Sequence, residues 1–271
     1  MSTRTTDPAP YTFDGDWSSR LVATAVHAGN DLRASLRPLA KLPDDDRFRE
    51  EDPFTDRLAA RLPALAVSHR SRFEVDLNRP RDGAVYRSPD DCWGLEMWTT
   101  GELADEEVER SLEVYDAFYA ELAERLDALA ERGPFVVYDV HSYNHRRDRA
   151  DADPQPAVEN PEVNLGTGSL DRARFAPVVD AFVESLRDAP GLAAPIDVRE
   201  NVRFRGANVA AWVHERYPGT GCVLAIEFKK TFMDEWSGEL DEAKADRLAE
   251  ALAGTVAPVL AALDAVDGGT G

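Results

Sequence analysis

Two histidines end apolar runs in this chain, and that is where chemistry could begin. Phe135-Val136-Val137-Tyr138-Asp139-Val140 is β-rich, follows Gly133-Pro134, and runs into His141, Ser142, Tyr143 and His145. Arg20 to Val26 is a second such run, and it ends in His27, Ala28 and Gly29. A third, Val223 to Phe228, carries Glu227 within it, where an ionised carboxylate is costly unless paired or close to a metal. Glu50, Glu51 and Asp52 form an acidic cluster before Pro53. Two imidazoles and one carboxylate make the ligand set of a catalytic zinc site, which keeps a further position for water. His27, His141 and one of Glu50, Glu51 or Asp52 meet that requirement, and Glu227 is then a spare carboxylate able to carry a proton. Arg79 or Arg205 could hold a substrate carboxylate, or an oxyanion as it develops. No compact zinc motif such as His-Glu-x-x-His is present, so the donors must be assembled by the fold. His145 follows His141 at helical spacing, but a strand end does not stack such residues on one face, and His145 is set aside as a ligand.

The elements that must position these groups read as α/β. Continuous apolar runs are strands buried on both faces of a parallel or mixed sheet, and ligands of such sheets bind just beyond the strands' carboxyl ends. Residues 1–19, polar and rich in Pro, Thr and Asp, are expected to be a loose arm, with residues 20–271 as one domain. Residues 31–46 read as a polar loop containing Asp44-Asp45-Asp46. Asp52-Pro53 also reads as a helix start, with the aspartate as N-cap and Leu58, Leu62 and Leu65 on one face. Residues 64–68 and 73–77 are predicted strands, with His69 in the turn between them. The apolar spacing over 102–132 predicts a helix, capped by Thr99 or Thr100 and stopped at Gly133-Pro134. An irregular segment, 146–168, ends in Gly166-Thr167-Gly168. Beyond it lie predicted helices at 170–188, 207–216 and 240–264, a loop at 201–206 and the strand at 223–228.

Composition narrows the partners. The 51 acidic and 31 basic residues give a formal net charge of −20, which weighs against nucleic acid or an anionic membrane. Cys92 and Cys222 lie far apart, so no disulfide framework is expected and a reducing cytoplasm is the natural setting. The first residues lack the order of a signal peptide, and no apolar run is judged long enough to cross a bilayer.

The ordered set Val26-His27-Ala28-Gly29, Glu51-Asp52, Asp76-Leu77-Asn78-Arg79, Asp139-Val140-His141-Ser142-Tyr143, Asn201 to Gly206 and Ile226-Glu227 resembles the N-formylglutamate amidohydrolase family, over about residues 20–235. It also looks like its counterparts in the zinc carboxypeptidases, to which that family is structurally related. The resemblance implies a three-layer α/β/α sandwich on a mixed sheet, one zinc ion, and hydrolysis of a C–N amide bond in a small anionic substrate. It would make His27 and His141 metal ligands and Glu227 the general base and acid. Asn78 and Arg79 match the pair that grips a substrate carboxylate in the carboxypeptidases. Tyr143 and Arg205 are grouped with them as substrate-binding. The carboxypeptidases place a ligand glutamate three residues after the first histidine, where this chain has Asn30. The third ligand must then come from 50–52: Asp52 by its place in the motif, with Glu51 as the alternative. The activity expected is that of an amidohydrolase, with N-formylglutamate as candidate substrate. Its rivals are a carboxypeptidase, another deacylase, and a non-catalytic binding protein of the same fold.

Overall fold

In the computed structural model, which describes residues 7–190 and 194–268, the runs without polar alternation form the middle of one seven-stranded sheet. In chain order the strands are β1 (Tyr11–Gly15), β2 (Leu21–Ala25), β3 (Ala64–Ser68), β4 (Phe135–Tyr143), β5 (Val163–Gly166), β6 (Val198–Glu200) and β7 (Gly221–Lys229). They lie in the order β1-β3-β2-β4-β7-β5-β6. The neighbours β3, β2, β4 and β7 are mutually parallel, while β1 and β5 run antiparallel to β3 and β7. Every residue of β2 and β4 is buried, which is why their sequences are largely apolar rather than alternating, with Thr24, Asp139, His141 and Ser142 as the polar exceptions.

Helices cover both faces. Tyr138, Val140, Leu224 and Ile226 face the side carrying α2 (Thr55–Ala59), α4 (Ala176–Arg187), α6 (Glu242–Gly254) and α7 (Val256–Gly268). Phe135, Val137 and Val223 face α3 (Asp105–Ala130), α5 (Asn208–Arg216) and the buried residues Phe73, Val75 and Tyr86. The architecture is thus a three-layer α/β sandwich on a mixed sheet. The chain turns from β2 to β3 on one side and from β4 toward β7 on the other, so a crevice opens between the carboxyl ends of β2 and β4.

Several local expectations need correction. Residues 11–15, expected in a loose arm, form the edge strand β1, whose Tyr11 and Phe13 pack on Phe118; residues 1–6 of that arm lie outside the described residues. The acidic run 44–46 opens the short helix α1 (Asp44–Glu50), where negative side chains suit the positive end of the helix dipole. Residues 73–77 are no strand: the amides of Glu74 and Val75 bond back to Ser71, and Glu74 and Asp76 are held by arginines. Neither Thr99 nor Thr100 caps α3, which starts after Ala104; the Thr100 hydroxyl bonds to the Glu102 carbonyl instead. The segment 146–168 contains β5. The last helix is two, parted at Thr255, whose hydroxyl reaches Leu252 and the Tyr138 hydroxyl 2.7 Å away. By length and composition Glu242–Val266 is long and apolar enough to span a bilayer, contrary to expectation, yet Leu248, Leu252, Val259 and Leu263 are spent on the sheet's core.

Gly29 lets the turn after β2 press against the segment that follows β3. A Cβ there would meet backbone atoms of His69 at 2.2 and 2.3 Å, so one of the two segments would have to move. Gly29→Ala should therefore lower stability by about 1–3 kcal/mol, as overpacking does, and shift His27. Thermal unfolding checks the first effect and metal titration the second.

Candidate metal centre

Each donor of the centre is placed by backbone before its side chain is considered. His27 stands just beyond β2, and its carbonyl accepts the amide of Asp52 at 3.0 Å, which ties the acidic segment to the strand end. The carbonyl of Asp52 is also taken, by the amide and hydroxyl of Thr55, and Phe54 adopts a left-handed conformation (φ 67°) ahead of α2. Asp52 is therefore not the cap of α2; its carboxylate turns away toward the sheet. On its other side Lys230, after β7, donates to the carbonyls of Arg49 and Glu51 at 2.7 and 2.6 Å. His141 lies in β4, paired across the ladder with Glu227 of β7, so both side chains leave the same face one strand spacing apart.

These placements bring His27, Asp52 and His141 together, all three buried, with ligand atoms within 4.8 Å of one another. Asp52 Oδ2 is 3.2 Å from His27 Nδ1 and 2.9 Å from His141 Nδ1, and the two rings sit 4.9 Å apart. Each imidazole turns its other nitrogen to a second buried carboxylate. His27 Nε2 is 2.7 Å from Asp76 Oδ1, and His141 Nε2 is 3.1 Å from Asp139 Oδ2. Asp76 also accepts from Arg72 and from the Tyr86 hydroxyl, and Asp139 from Thr24 at 2.7 Å.

This donor set fits a metal ion. On His27 the Asp76 carboxylate keeps the ring proton on Nε2 and leaves the Nδ1 lone pair free, the usual arrangement behind a ligating histidine; on His141 both Asp139 and the Asn78 amide stand at Nε2. Without a cation, the His27 ring would need protons on both nitrogens to satisfy its two carboxylates, and both rings would share one oxygen of Asp52. Donors about 2.0–2.1 Å from a tetrahedral ion sit roughly 3.3 Å from each other, close to the 3.2 and 2.9 Å from Asp52 to the two imidazoles. Electrostatics agree. Burial alone would raise Asp52, but hydrogen bonds from both imidazoles hold its carboxyl far below the ordinary range. Burial would lower His141, yet Asp139 and Asp52 hold it well above its usual value.

Glu227 is outside this ligand set. Desolvation pushes its carboxyl up to about 7; the imidazoles oppose that rise, and the charges of Asp52 and Asp139 add to it. Glu51, the alternative ligand, is buried and held by Ser71 and by Asn30 at 2.7 Å, and Glu50 pairs with Arg49. Asn78 is oriented by two contacts: its Oδ1 accepts the Val209 amide at 2.9 Å and its Nδ2 lies 3.1 Å from His141 Nε2. Arg79 lies over the Tyr86 ring and bonds the Asp91 carbonyl, with 32% of its side chain exposed. Arg205 is exposed on the loop packed against Gly166 and Gly168. The Tyr143 hydroxyl donates to the Pro161 carbonyl, so its proton is not free for a substrate.

Sequence reasoning did not single out Asp76 and Asp139 as partners of the imidazoles. Asp139 could have been found, because two residues before His141 in a strand is the same face. Asp76 and Arg72 carry no such signal. Arg203, in the loop with Arg205, was not preferred either. It lies over the Tyr143 ring, its amide bonds Asn164 Oδ1 at 2.8 Å, and Asn164 faces Glu227 in the ladder.

Two outcomes follow. Asp139→Asn should weaken metal binding about 10–100-fold while Thr24 preserves the fold, measurable by chelator competition. Glu51, pushed by burial from 4.5 to about 7, keeps its proton in the folded chain when the unfolded chain has lost it, so its contribution to stability falls as pH rises through that window. Denaturation of metal-free protein at both ends of the window should show on the order of 3 kcal/mol of loss that Glu51→Gln lacks.

Among solved structures, an N-formylglutamate amidohydrolase from Ralstonia eutropha JMP134 is similar over 97% of this chain and 100% of its own, with a TM-score of 0.73 and 19% identity. A gene product of Agrobacterium tumefaciens is similar over 93% of this chain and 97% of its own, with a TM-score of 0.63 and 17% identity. At such identities these likenesses establish the fold. No curated protein matches the sequence. The family model described as N-formylglutamate amidohydrolase matches residues 19–233, most of the chain, and the chain belongs to that family.

Proposed function

We propose that this protein is a zinc-dependent hydrolase that cleaves the C–N amide bond of a small N-acyl amino acid, with N-formylglutamate as the first candidate. The observation that carries this reading is the convergence of two imidazole Nδ1 atoms on one buried carboxylate oxygen, each ring backed by a further carboxylate. His27, Asp52 and His141 would hold the ion. When bound, zinc in such a set polarises the scissile carbonyl and lowers the pKa of a water toward neutrality.

The remaining work falls to the chain's own groups. Glu227, poised near 7 and one strand from His141, takes a proton from the attacking water and delivers it to the leaving nitrogen. The water oxygen joins the acyl carbon, the C–N bond breaks, and the amine leaves protonated. Arg79, partly exposed, and Arg205, on its loop, hold substrate carboxylates. Asn78, one amide hydrogen of which points at His141 Nε2, offers its second to the substrate beside Arg79. Cytoplasmic residence is part of the proposal, and Cys92 and Cys222, free and buried, are at home in a reducing compartment.

Elemental analysis should find about one zinc per chain, a single site of this kind being enough for the chemistry. N-formylglutamate should be hydrolysed faster than other acyl amino acids or dipeptides. Glu227→Gln should cut kcat about 10²–10⁴-fold with metal content unchanged. Full turnover in that variant removes Glu227 as the base. A metal-free chain with no affinity for zinc overturns the whole reading.

A further inference from the structure

A cavity of about 520 Å³ opens beside the metal centre and uses none of its donors. His145, Arg146 and Lys230 line it, and so do Asp234, Glu239 and Asp241. Its inner part is cationic, in a chain with 51 acidic residues against 31 basic. Lys230 is only 2% exposed, and its Nζ bonds two carbonyls, which leaves one N–H unused. Arg146 makes no ion pair among the described residues, and its buried Nε has no acceptor. His145 is 8% exposed, and its buried Nδ1 has no hydrogen-bond partner. Glu235 Oε2 lies 3.9 Å from that nitrogen, and the carboxylate is taken by the amides of His145 and Arg146. Buried polar groups are nearly always satisfied, so two that are not, His145 Nδ1 and Arg146 Nε, around one cavity, point to a ligand.

The mouth has the opposite sign. Asp234, Glu239 and Asp241 are exposed there. Asp234 accepts the amides of Trp236 and Ser237, and Asp241 caps α6 through the Lys244 amide. The Glu239 carboxylate has no such bond among the described residues. A simple anion would have to pass three carboxylates to reach the floor, whereas a molecule with both charges matches floor and mouth at once. We propose that this cavity binds a free α-amino acid. Its carboxylate meets Lys230 and Arg146, its ammonium faces Glu239, and His145 completes the hydrogen bonding. A free amino acid is also what the proposed hydrolysis releases. On that link, which rests on the proposed function, the cavity separates product from the N-acyl substrate, since only the product carries an ammonium.

Isothermal titration of the zinc-loaded full chain tests this, with glutamate, N-formylglutamate and acetate as probes. Arg146→Ala and Glu239→Gln should each weaken one class of glutamate sites about tenfold or more, the scale of a lost charge-assisted bond. The kcat/KM for the N-acyl substrate, measured with product absent, should stay within about twofold, since neither residue touches the reacting atoms. Glutamate isotherms unchanged in both variants overturn the proposal. So does acetate or N-formylglutamate binding the Arg146-dependent site as tightly as glutamate. Absence of hydrolytic activity would count against the proposed reaction alone, because the isotherms do not require turnover.

Discussion

Charge compensation inside the fold is the constraint on which this structure depends. Asp52, Asp76 and Asp139 are at most 5% exposed, and all three crowd two imidazoles. Like charges so close in a medium of low dielectric repel strongly unless positive charge lies among them. Arg72 supplies part of it, against Asp76. A cation held by His27, Asp52 and His141 would supply the rest without requiring a doubly protonated His27. Glu227 is driven toward neutrality chiefly by its burial, and the charges of Asp52 and Asp139 add to that push while the imidazoles oppose it.

The sheet's connectivity puts those groups where they meet. β2 and β4 are parallel neighbours whose following chain departs in opposite directions, so their carboxyl ends flank an open crevice. His27 and His141 occupy the two lips. β7 adds Glu227 in register with His141 and, one turn of chain later, Lys230, which grips the carbonyls ahead of Asp52. One strand thus serves the proton-carrying group and the backbone of the ligand segment. The cationic loop at 201–206 is fastened to this frame through Asn164 and Thr167, whose bonds to Arg203, Phe204 and Asn201 fix its course.

Much of this frame was legible because parallel strands buried on both faces are apolar at most positions, and β2, β4 and β7 announce themselves that way. Their histidines and Glu227 were visible as polar groups ending or interrupting such runs. β1 was not legible, since an edge strand needs few apolar residues and Tyr11 and Phe13 sit among polar ones. Residues 73–77 alternate like a strand because Phe73, Val75 and Leu77 are buried, but their backbone is turned by bonds to Ser71, which alternation cannot reveal. Asp52 has the local look of a helix cap and a tertiary use as an imidazole partner. Two readings of one residue are separated only when the fold says what lies across from it. Tyr143 shows the same limit from the other side, as a group of suitable chemistry whose hydroxyl another part of the chain has claimed.

The donors of the centre are supplied by residues 27, 52 and 141, two from the connection between β2 and β3 and one from the strand β4. A nascent chain emerging from the ribosome therefore has no competent pocket until more than half of its length is out and β4 has docked beside β2. Any ion captured afterwards fastens early-made segments to late-made ones, and its binding energy adds to the persistence of the finished fold. Occupancy of the centre would then mark molecules in which β4 has docked beside β2, separating them from those not yet assembled there.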